Sequence, residues 1–462
     1  MSNLALLDST FTGELIRPED PGYDGARALF NGRIDKRPAL IARCTGPADV
    51  QSALAYAREN DLEVAVRGGG HSAAGHSCCD DGIVIDTGPM KSVDIDVEGR
   101  TGRFGAGLNW GEFDAATQEH GLGLAGGRVT HTGIAGLTLG SGSGWIDRKC
   151  GPTCDNLISA EVVTADGRVL RASADENDDL FWGLRGGGGN FGVVTEFEFR
   201  LHEVGPIVYA GMILHPRSEA RELARFYRDF MEEAPEEIGG GLALVTAPPE
   251  EFVPEEARGK PAVALILVYV GDVEAGEEAL RPLTEWGDPW VKMVQPMPYV
   301  AVQQLIDAGN PWGINEYFKA DYLAELPDEA IDVAVDKAEE MRSPFTALIF
   351  APLGGAVGRV DRSSMALELP DAKWLYFCLP LWMDPSFEEQ EIAWGRSFME
   401  TMRPWAAGKA PPNFINVDDR ADRLRASYGE EKYERLVALK DKYDPENVFA
   451  LNQNIPPSGS PA

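Results

Sequence analysis

The chain has 462 residues, of which 44% are hydrophobic and 25% are charged. This length and composition are typical of a globular protein with more than one domain. Its 42 Lys and Arg residues against 74 Asp and Glu residues give a formal net charge of -32. Such an acidic surface repels phosphate backbones and anionic lipid heads. We therefore expect neither nucleic acid nor a membrane as a partner.

The N-terminus and the cysteines bear on location and metal binding. The N-terminal stretch lacks a basic region followed by an apolar core, so we expect a cytoplasmic protein without a secretory signal. Six cysteines are scattered along the chain. Cys150 and Cys154 are close in sequence, but no second pair or histidine cluster accompanies them at zinc-like spacing. The sequence therefore predicts reduced thiols and no metal site, and it leaves the oligomeric state open.

The glycine-rich first part of the chain is predicted to contain short α/β units and then strands. A helix should begin at Pro47, followed by a strand (LEVAVR), three glycines and another strand (GIVID). Further along, AEVVTADGRVLRA places Asp-Gly between two alternating runs, which is a strong hairpin signal.

Near residue 205 the composition changes, and we expect a domain boundary there. Glycine thins out, amphipathic helices appear, and apolar strands such as AVALILVYVG lie between them. These elements predict an α+β domain with an antiparallel sheet and covering helices over residues 206–408. A helical C-terminal stretch follows. The apolar helix positions are Leu223, Phe226, Tyr227 and Phe230 in one helix, and Ile331, Val335, Ala338 and Met341 in the other.

The string RGGGHSAAGHS, from Arg67 to Ser77, follows a predicted strand. Consecutive glycines allow positive φ and bring several backbone N–H groups against one anion, so the string suits a nucleotide pyrophosphate. It matches neither a Walker loop nor the G-x-G-x-x-G that opens a helix. Taken alone, it is equally compatible with a structural turn.

Further strings accompany it in order: GIAGLTLGSGSGW, RKCGPTCDNLISAEVVTADGRVL, LRGGGGNFGVVTEF and DKYDPENVFALNQNIPP. With these strings the chain resembles, over essentially its whole length, the berberine-bridge-enzyme-like FAD-linked oxidases. These form part of the vanillyl-alcohol-oxidase group of flavoproteins. The resemblance is closest to a bacterial branch that includes a flavoprotein of enterocin biosynthesis. It implies a discontinuous FAD-binding domain of two subdomains, made of residues 1–205 and a returning segment 409–462, around a substrate domain at 206–408.

The resemblance also assigns FAD contacts. It implies a covalent bond to FAD through His71. His76 competes on spacing alone, but only His71 directly follows the glycines. Val129 stands where many relatives have a cysteine that forms a second bond, so we expect a single link. The other implied contacts are Arg67, Gly68, Gly69, Gly70, Ser72, His76, Ser77, Thr132, Gly133, Gly136, Leu137, Ser141, Gly142, Cys154, Asp155, Gly192, Val194, Asn416 and Asn452.

The implied reaction transfers a hydride from an alcohol, an amine or an activated C–H of a small organic substrate to flavin N5. Molecular oxygen then reoxidises the flavin and gives hydrogen peroxide. The pair His131-Thr132 keeps an alternative open, because in the enterocin branch it helps to form a flavin-N5-oxide that transfers oxygen. However, Ala243 and Ile349 stand where that branch has tyrosine and glutamate. A dehydrogenase with poor oxygen reactivity is the other alternative.

The catalytic base is an open question, because Phe414 and Ser143 occupy positions where relatives carry tyrosines. A base needs hydrogen-bond reach to the proton that it removes. Tyr317 and Lys319 share one face of the strand-like INEYFKADYL, with Glu316 on the other face. Tyr317, Lys319 and His131 are therefore the candidate catalytic residues. Tyr299 and Tyr376 also remain candidates, although core packing with a bonded hydroxyl is the favoured explanation for each tyrosine.

Overall fold

The computed structural model describes residues 7, 9, 11–419 and 421–460. The strands are β1 (Glu14–Ile16), β2 (Leu40–Arg43), β3 (Val64–Arg67), β4 (Ile83–Asp86), β5 (Val93–Asp96), β6 (Thr101–Gly105), β7 (Leu122–Gly123), β8 (Leu157–Val163), β9 (Val169–Ser173), β10 (Val193–Arg200), β11 (His202–Glu203), β12 (Ile207–Pro216), β13 (Ile238–Thr246), β14 (Pro261–Tyr269), β15 (Val291–Pro298), β16 (Asn315–Glu316), β17 (Lys319–Leu323), β18 (Ala347–Pro352), β19 (Trp374–Leu379) and β20 (Leu381–Trp382). The helices are α1 (Tyr23–Arg27), α2 (Pro47–Glu59), α3 (Trp110–Gln118), α4 (Ile134–Gly140), α5 (Asp147–Cys150), α6 (Asp178–Leu184), α7 (Ala220–Glu233), α8 (Val273–Thr284), α9 (Tyr299–Gln303), α10 (Asp328–Ala338), α11 (Glu388–Met402), α12 (Ala421–Tyr428) and α13 (Glu430–Tyr443).

Two sheets of four and five strands form most of the first part of the chain, which also contains the two-stranded pair β7–β11. The first sheet has the order β1-β2-β4-β3, with parallel pairing of β2, β4 and β3, and the second is antiparallel with the order β5-β6-β10-β8-β9. Helix α2 begins with Pro47 and supplies the crossover between β2 and β3. Its buried Val50 and Ala53 belong to a core that also contains Val163 of the second sheet. This helix therefore packs between the two sheets.

The third and largest sheet, called the large sheet below, is antiparallel with the order β15-β12-β14-β13-β18-β19-β17. Helices α7, α8, α10 and α11 cover one of its faces. The amphipathic pattern of α7 is confirmed, because Leu223 and Tyr227 are fully buried against Leu242 and Leu244 of β13. The predicted α+β class is confirmed; the domain limits at residues 205 and 408 stay predictions.

The other face of the large sheet carries an apolar row that crosses every strand. Cross-strand pairing joins Ala243 to Ile349 and Ile349 to Phe377. Because side chains alternate between the two faces of a strand, directly paired residues share a face. The row consists of Val291, Leu214, Ala264, Ala243, Ile349, Phe377 and Ala320.

The C-terminal segment returns to the first part of the chain through a buried ion pair. The Nζ of Lys440 lies 2.7 Å from the Oδ2 of Asp444, and both side chains are fully buried. The same Nζ donates to the backbone carbonyls of Asn190 and Phe449. Asn190 also accepts from the backbone N–H of Ile455. These bonds hold the segment after α13 against the third glycine string.

No helix within the described ranges is long and apolar enough to cross a membrane.

Candidate active site

A cavity of about 350 Å³ opens where the glycine strings, the large sheet and the C-terminal segment meet. Its size is within the range of small-molecule sites. Its wall is formed in part by Val66 of β3, Val194 of β10, Ile349 of β18 and Phe377 of β19. The expected FAD contacts that line it are Gly68, Gly69, Gly70, His71, Ser72, His76, Ser77, Thr132, Gly133, Gly136, Leu137, Ser141, Gly142, Gly192, Val194 and Asn452.

Four expected FAD contacts do not line the cavity. The guanidinium of Arg67 donates to a backbone carbonyl of α1. Cys154 is fully buried in a small apolar cluster, and Asp155 accepts from Arg185 at 2.8 Å. The side-chain oxygen of Asn416 accepts from the next backbone N–H at 2.9 Å. The Nδ2 of Asn416 is buried and has no hydrogen-bond partner among the described residues. These local contacts do not test the four assignments, which stay predictions.

The first glycine string forms a cradle at one end of the cavity. A Cβ on Gly69 would lie 2.2 Å from the backbone nitrogen of Gly133, so only glycine permits this contact between the first two strings. Gly70 has a φ of 70°, which favours glycine. Within the described part of the chain, the backbone N–H groups of residues 69–74 donate to no other protein group. Since unpaired backbone donors are costly, this cradle fits an anionic ligand such as a pyrophosphate.

His71 follows this cradle and lies in a cluster of aromatic rings. Its imidazole stacks on Phe30 with a centroid distance of 4.3 Å and an interplanar angle of 10°. Trp312 lies edge-on to it at 5.8 Å and is 43% exposed. Burial, and then the charge that His131 carries when protonated, lower the pKa of His71 to about 3. His71 is therefore a neutral imidazole at the cavity wall. His76 also lines the cavity, and burial lowers its pKa to about 4.

His131 does not line the cavity itself but is bonded to His71. The Nδ1 of His131 lies 2.7 Å from the Nε2 of His71. Its own Nε2 lies 3.1 Å from the backbone oxygen of Asn310. Both ring nitrogens of His131 are therefore used within the protein.

A second part of the cavity wall is apolar and carries one fixed charge. It includes Ile349, Phe377, Leu379, Phe318 and Phe414. The guanidinium carbon of Arg128 lies 5.2 Å from the centre of the Phe377 ring and 5.1 Å from that of Trp145, a cation–π arrangement. Of the lining residues that the structure describes, none is Asp, Glu, Lys or Tyr.

The predicted strand over Tyr317 and Lys319 is interrupted, because Tyr317 and Phe318 link β16 to β17. Phe318 lines the cavity and Tyr317 does not. Lys319 precedes Ala320 of the apolar row and so lies on the other face of β17. The Nζ of Lys319 lies 2.8 Å from Asp418 and 2.9 Å from Asp419. The Tyr317 hydroxyl donates to Asp418 at 2.5 Å, and burial, with the Asp418 carboxylate, raises the pKa of Tyr317. An ionised tyrosine is disfavoured there. Both residues join an ion-pair cluster that holds the C-terminal segment, so a role as base has no geometric support.

The other candidate bases do not reach the cavity either. Tyr299 and Tyr376 are fully buried in the core, and burial raises the pKa of each well above that of an ordinary tyrosine. Glu316 is also buried, on the strand pair β16–β20. None of the three belongs to the lining that the described residues form.

The sequence analysis did not identify several residues that line the cavity. Asn310 and Phe30 come from loops without a recognisable pattern. Asn413 and Gln453, by contrast, belong to stretches that the sequence analysis named, because Asn413 precedes Phe414 and Gln453 lies within the string DKYDPENVFALNQNIPP. Their place in those stretches was the one available signal for them.

Comparisons with known proteins agree with this geometry. Residues 38–173 match the family model of the FAD binding domain, and residues 412–456 match the model described as berberine and berberine like. An FAD-linked oxidoreductase of Dictyostelium discoideum is 30% identical over 93% of this chain and 91% of its own. The (R)-6-hydroxynicotine oxidase of Paenarthrobacter nicotinovorans is 30% identical over 100% of both chains.

Solved structures show the same fold. The crystal structure of 6-hydroxy-D-nicotine oxidase from Arthrobacter nicotinovorans matches with a TM-score of 0.85 and 29% identity, covering 96% of this chain and 98% of that one. Xylooligosaccharide oxidase from Myceliophthora thermophila matches with a TM-score of 0.86 over 100% of both chains at 22% identity, which shows the fold alone. Fold and cavity thus define an FAD-dependent oxidoreductase of the vanillyl-alcohol-oxidase type. Within that class, the chain belongs to the berberine-bridge-enzyme-like FAD-linked oxidoreductases.

Proposed function

We propose that FAD is bound covalently through His71 alone. A neutral imidazole beside the glycine cradle supports this link. Val129 lines the cavity without a thiol, and the free cysteines of the described chain are buried elsewhere. When bound, FAD supplies the capacity to accept a hydride and to pass two electrons to oxygen.

The chain's own residues would hold the cofactor in parts. The free N–H groups of residues 69–74 would bind the pyrophosphate, and the second glycine string would line the ring. Gly192 and Val194 would hold the adenosine half, and Asn452 would close the site from the C-terminal segment. In this proposal residues 1–205 and 409–462 form the FAD-binding domain, and residues 206–408 form the substrate domain.

The reaction that we propose is oxidation of a small organic substrate, with molecular oxygen as the final acceptor and hydrogen peroxide as the product. The observation that carries it is that one cavity joins the phosphate cradle to an apolar wall of the large sheet. The named relatives include oxidases of hydroxynicotine and of xylooligosaccharides. Ile349, Phe377 and Leu379 favour an apolar or aromatic molecule over a sugar.

The described cavity lining offers no tyrosine or carboxylate as a base, and this restricts the expected class of substrate. An alcohol must lose its O–H proton as the hydride leaves, and this step needs an acceptor within hydrogen-bond reach. An amine can lose the hydride from the neighbouring carbon without a protein base, because its nitrogen lone pair stabilises the product cation. The described lining contains no tyrosine or carboxylate. Its two histidines are His71, the proposed attachment point, and His76, which is a weak base because burial lowers its pKa to about 4. We therefore expect amines to be better substrates than alcohols.

Oxygen transfer is the less favoured alternative. It depends on His131 at the flavin, and both ring nitrogens of His131 are engaged with His71 and Asn310. Simple reoxidation of the flavin by oxygen needs no such residue.

The test is an anaerobic screen of amines, alcohols, phenols and oligosaccharides for bleaching of the flavin. Oxygen is then admitted, and we expect one hydrogen peroxide for each flavin reduced. With labelled oxygen, the label should appear in peroxide and not in the organic product. Label in the product would favour the oxygenase, and slow reoxidation in air would favour the dehydrogenase. Failure of every class to bleach the flavin would contradict the proposal.

A further inference from the structure

Three groups at the cavity form a directional hydrogen-bond chain. It runs from the backbone oxygen of Asn310 to the Nε2 of His131 at 3.1 Å, and from the Nδ1 of His131 to the Nε2 of His71 at 2.7 Å. No other protein group among the described residues bonds the Nδ1 of His71. His71 is therefore anchored through one nitrogen and free at the other.

The carbonyl at one end sets the direction of every proton in the chain. A carbonyl oxygen only accepts, so the Nε2 of His131 must carry a proton. In a neutral imidazole the other nitrogen is then an acceptor, so the Nδ1 of His131 accepts from the Nε2 of His71. His71 is consequently held as the tautomer with Nε2–H and a lone pair on Nδ1.

We propose that His131 is a positioning residue for flavin attachment, because it fixes the His71 tautomer in which Nδ1 is the free nucleophile. This inference rests on the proposed covalent link through His71 and adds the residue that prepares the link.

The bonds, electrons and protons of the proposed bond formation between His71 and the flavin are all accounted for by these groups and molecular oxygen. The Nδ1 of His71 forms a bond to the C8α carbon of the flavin, and one C8α–H bond breaks. Its proton leaves, and its electron pair reduces the flavin ring by two electrons. The Nε2 proton of His71 leaves through the Nδ1 of His131. Molecular oxygen then takes the electron pair and two protons as hydrogen peroxide, which returns the linked flavin to its oxidised form.

The packing around the pair keeps this orientation. Phe30 stacks on the His71 ring and so opposes its rotation. The loop that presents the Asn310 carbonyl is tied to the loop of His131, because Asp307 accepts from the backbone N–H of Thr130 at 2.9 Å and from its hydroxyl at 2.5 Å. The two bonds of Asp307 therefore hold the His131 donor and the Asn310 carbonyl acceptor close together.

The test compares two variants of His131. His131→Phe keeps a ring but removes the acceptor, whereas His131→Gln retains an acceptor oxygen. An exposed histidine, His120, gives the matched control His120→Phe. Each full-length protein is produced under riboflavin limitation and incubated with FAD. Acid-stable flavin is followed over time, and non-covalent FAD binding is measured at the start.

We expect attachment to be about 10²-fold slower in His131→Phe, because proton transfer to a positioned group contributes roughly 10²–10⁴-fold. Non-covalent binding should stay near the wild-type value, His131→Gln should recover part of the rate, and His120→Phe should match the wild type. Nuclear magnetic resonance of the wild-type flavin peptide should show attachment at Nδ1.

Attachment at the wild-type rate in His131→Phe would overturn the role of His131, as would a wild-type bond to Nε2. Loss of non-covalent FAD binding in both His131 variants would also overturn it, since their defect would then be in folding or binding. A wild-type protein that binds FAD but never forms acid-stable flavin would instead overturn the proposed covalent link, and this inference with it.

Discussion

Ala243 and Ile349 are direct cross-strand partners at the centre of the large sheet. Ile349 lines the cavity and pairs on its other side with Phe377, which also lines it. By the resemblance, these are the two positions where the enterocin branch carries tyrosine and glutamate, and here they belong to one apolar row. We therefore expect the proposed substrate wall to differ in chemistry from that of the enterocin branch.

Ile349→Glu tests this wall. The change places a carboxylate in an apolar row beside Phe377, where an unpaired charge is costly. We expect FAD loading to persist and anaerobic flavin reduction by an apolar substrate to slow at least about tenfold, since 1.4 kcal/mol of lost binding already corresponds to that factor. Ile349→Leu is the matched control and should stay near the wild type. Equal rates in the two variants would show that the substrate binds elsewhere.

Tyr317→Phe tests whether the hydroxyl of Tyr317 acts in catalysis. A general base contributes roughly 10²–10⁴-fold to a rate, but this hydroxyl is bonded to Asp418 and does not line the cavity. We expect the rate of flavin reduction per bound flavin to stay close to that of the wild type. A loss of about 100-fold or more would restore Tyr317 as the base and show that the link between β16 and β17 moves when substrate binds.

Lys440→Met tests the ion pair that returns the C-terminal segment. Removing one partner of a buried pair costs about 3–5 kcal/mol, because Asp444 is left buried without its cation. We expect that loss in the free energy of unfolding, measured by urea denaturation, together with weaker retention of FAD. Lys442→Met removes an exposed pair with Asp179 from the same helix and should cost at most about 1 kcal/mol. Equal losses in the two variants would contradict the role of the buried pair.

Glu316→Gln tests a buried carboxyl group whose two oxygens have no hydrogen-bond partner among the described residues. Burial raises the pKa of Glu316 to about 8, against a smaller opposing effect of Arg33. Because the folded chain holds this proton more tightly than the unfolded chain, stability falls as the pH rises from about 4.5 to about 8. That loss amounts to about 1.4 kcal/mol for each pH unit in this window.

The variant lacks this titration, so its advantage in the free energy of unfolding should be small near pH 4.5 and grow toward pH 8. The exposed Glu325, changed to Gln, supplies the control with no such trend. A difference between Glu316→Gln and the wild type that does not vary with pH would contradict the raised pKa.

Short sequence patterns predicted those elements whose shape depends on neighbouring residues in the chain, such as turns and helices. The Asp166-Gly167 turn forms between β8 and β9, because glycine accepts the φ of 83° that the turn requires. The C-terminal helical stretch was located correctly, but it is divided into α12 and α13 at Gly429, whose φ is 75°. Likewise Pro380 separates β19 from β20 within a single apolar run of the sequence, since proline cannot donate to a sheet ladder.

Long-range contacts account for what the sequence could not predict. Alternation placed Tyr317 and Lys319 on one face of a strand, but it could not tell which face meets the cavity. The bond of His131 to Asn310 joins residues 179 positions apart, and no spacing rule connects them. The glycine strings could be recognised from the sequence because glycine allows backbone conformations that other residues rarely adopt.

The most direct measurement of the central claim is acid precipitation of the purified wild-type protein beside His71→Ala. We predict yellow flavin in the wild-type pellet and, after digestion, flavin on a single peptide that contains His71. His71→Ala should release all of its flavin into the supernatant. Flavin released from the wild type, or a flavin peptide that lacks His71, would contradict the account.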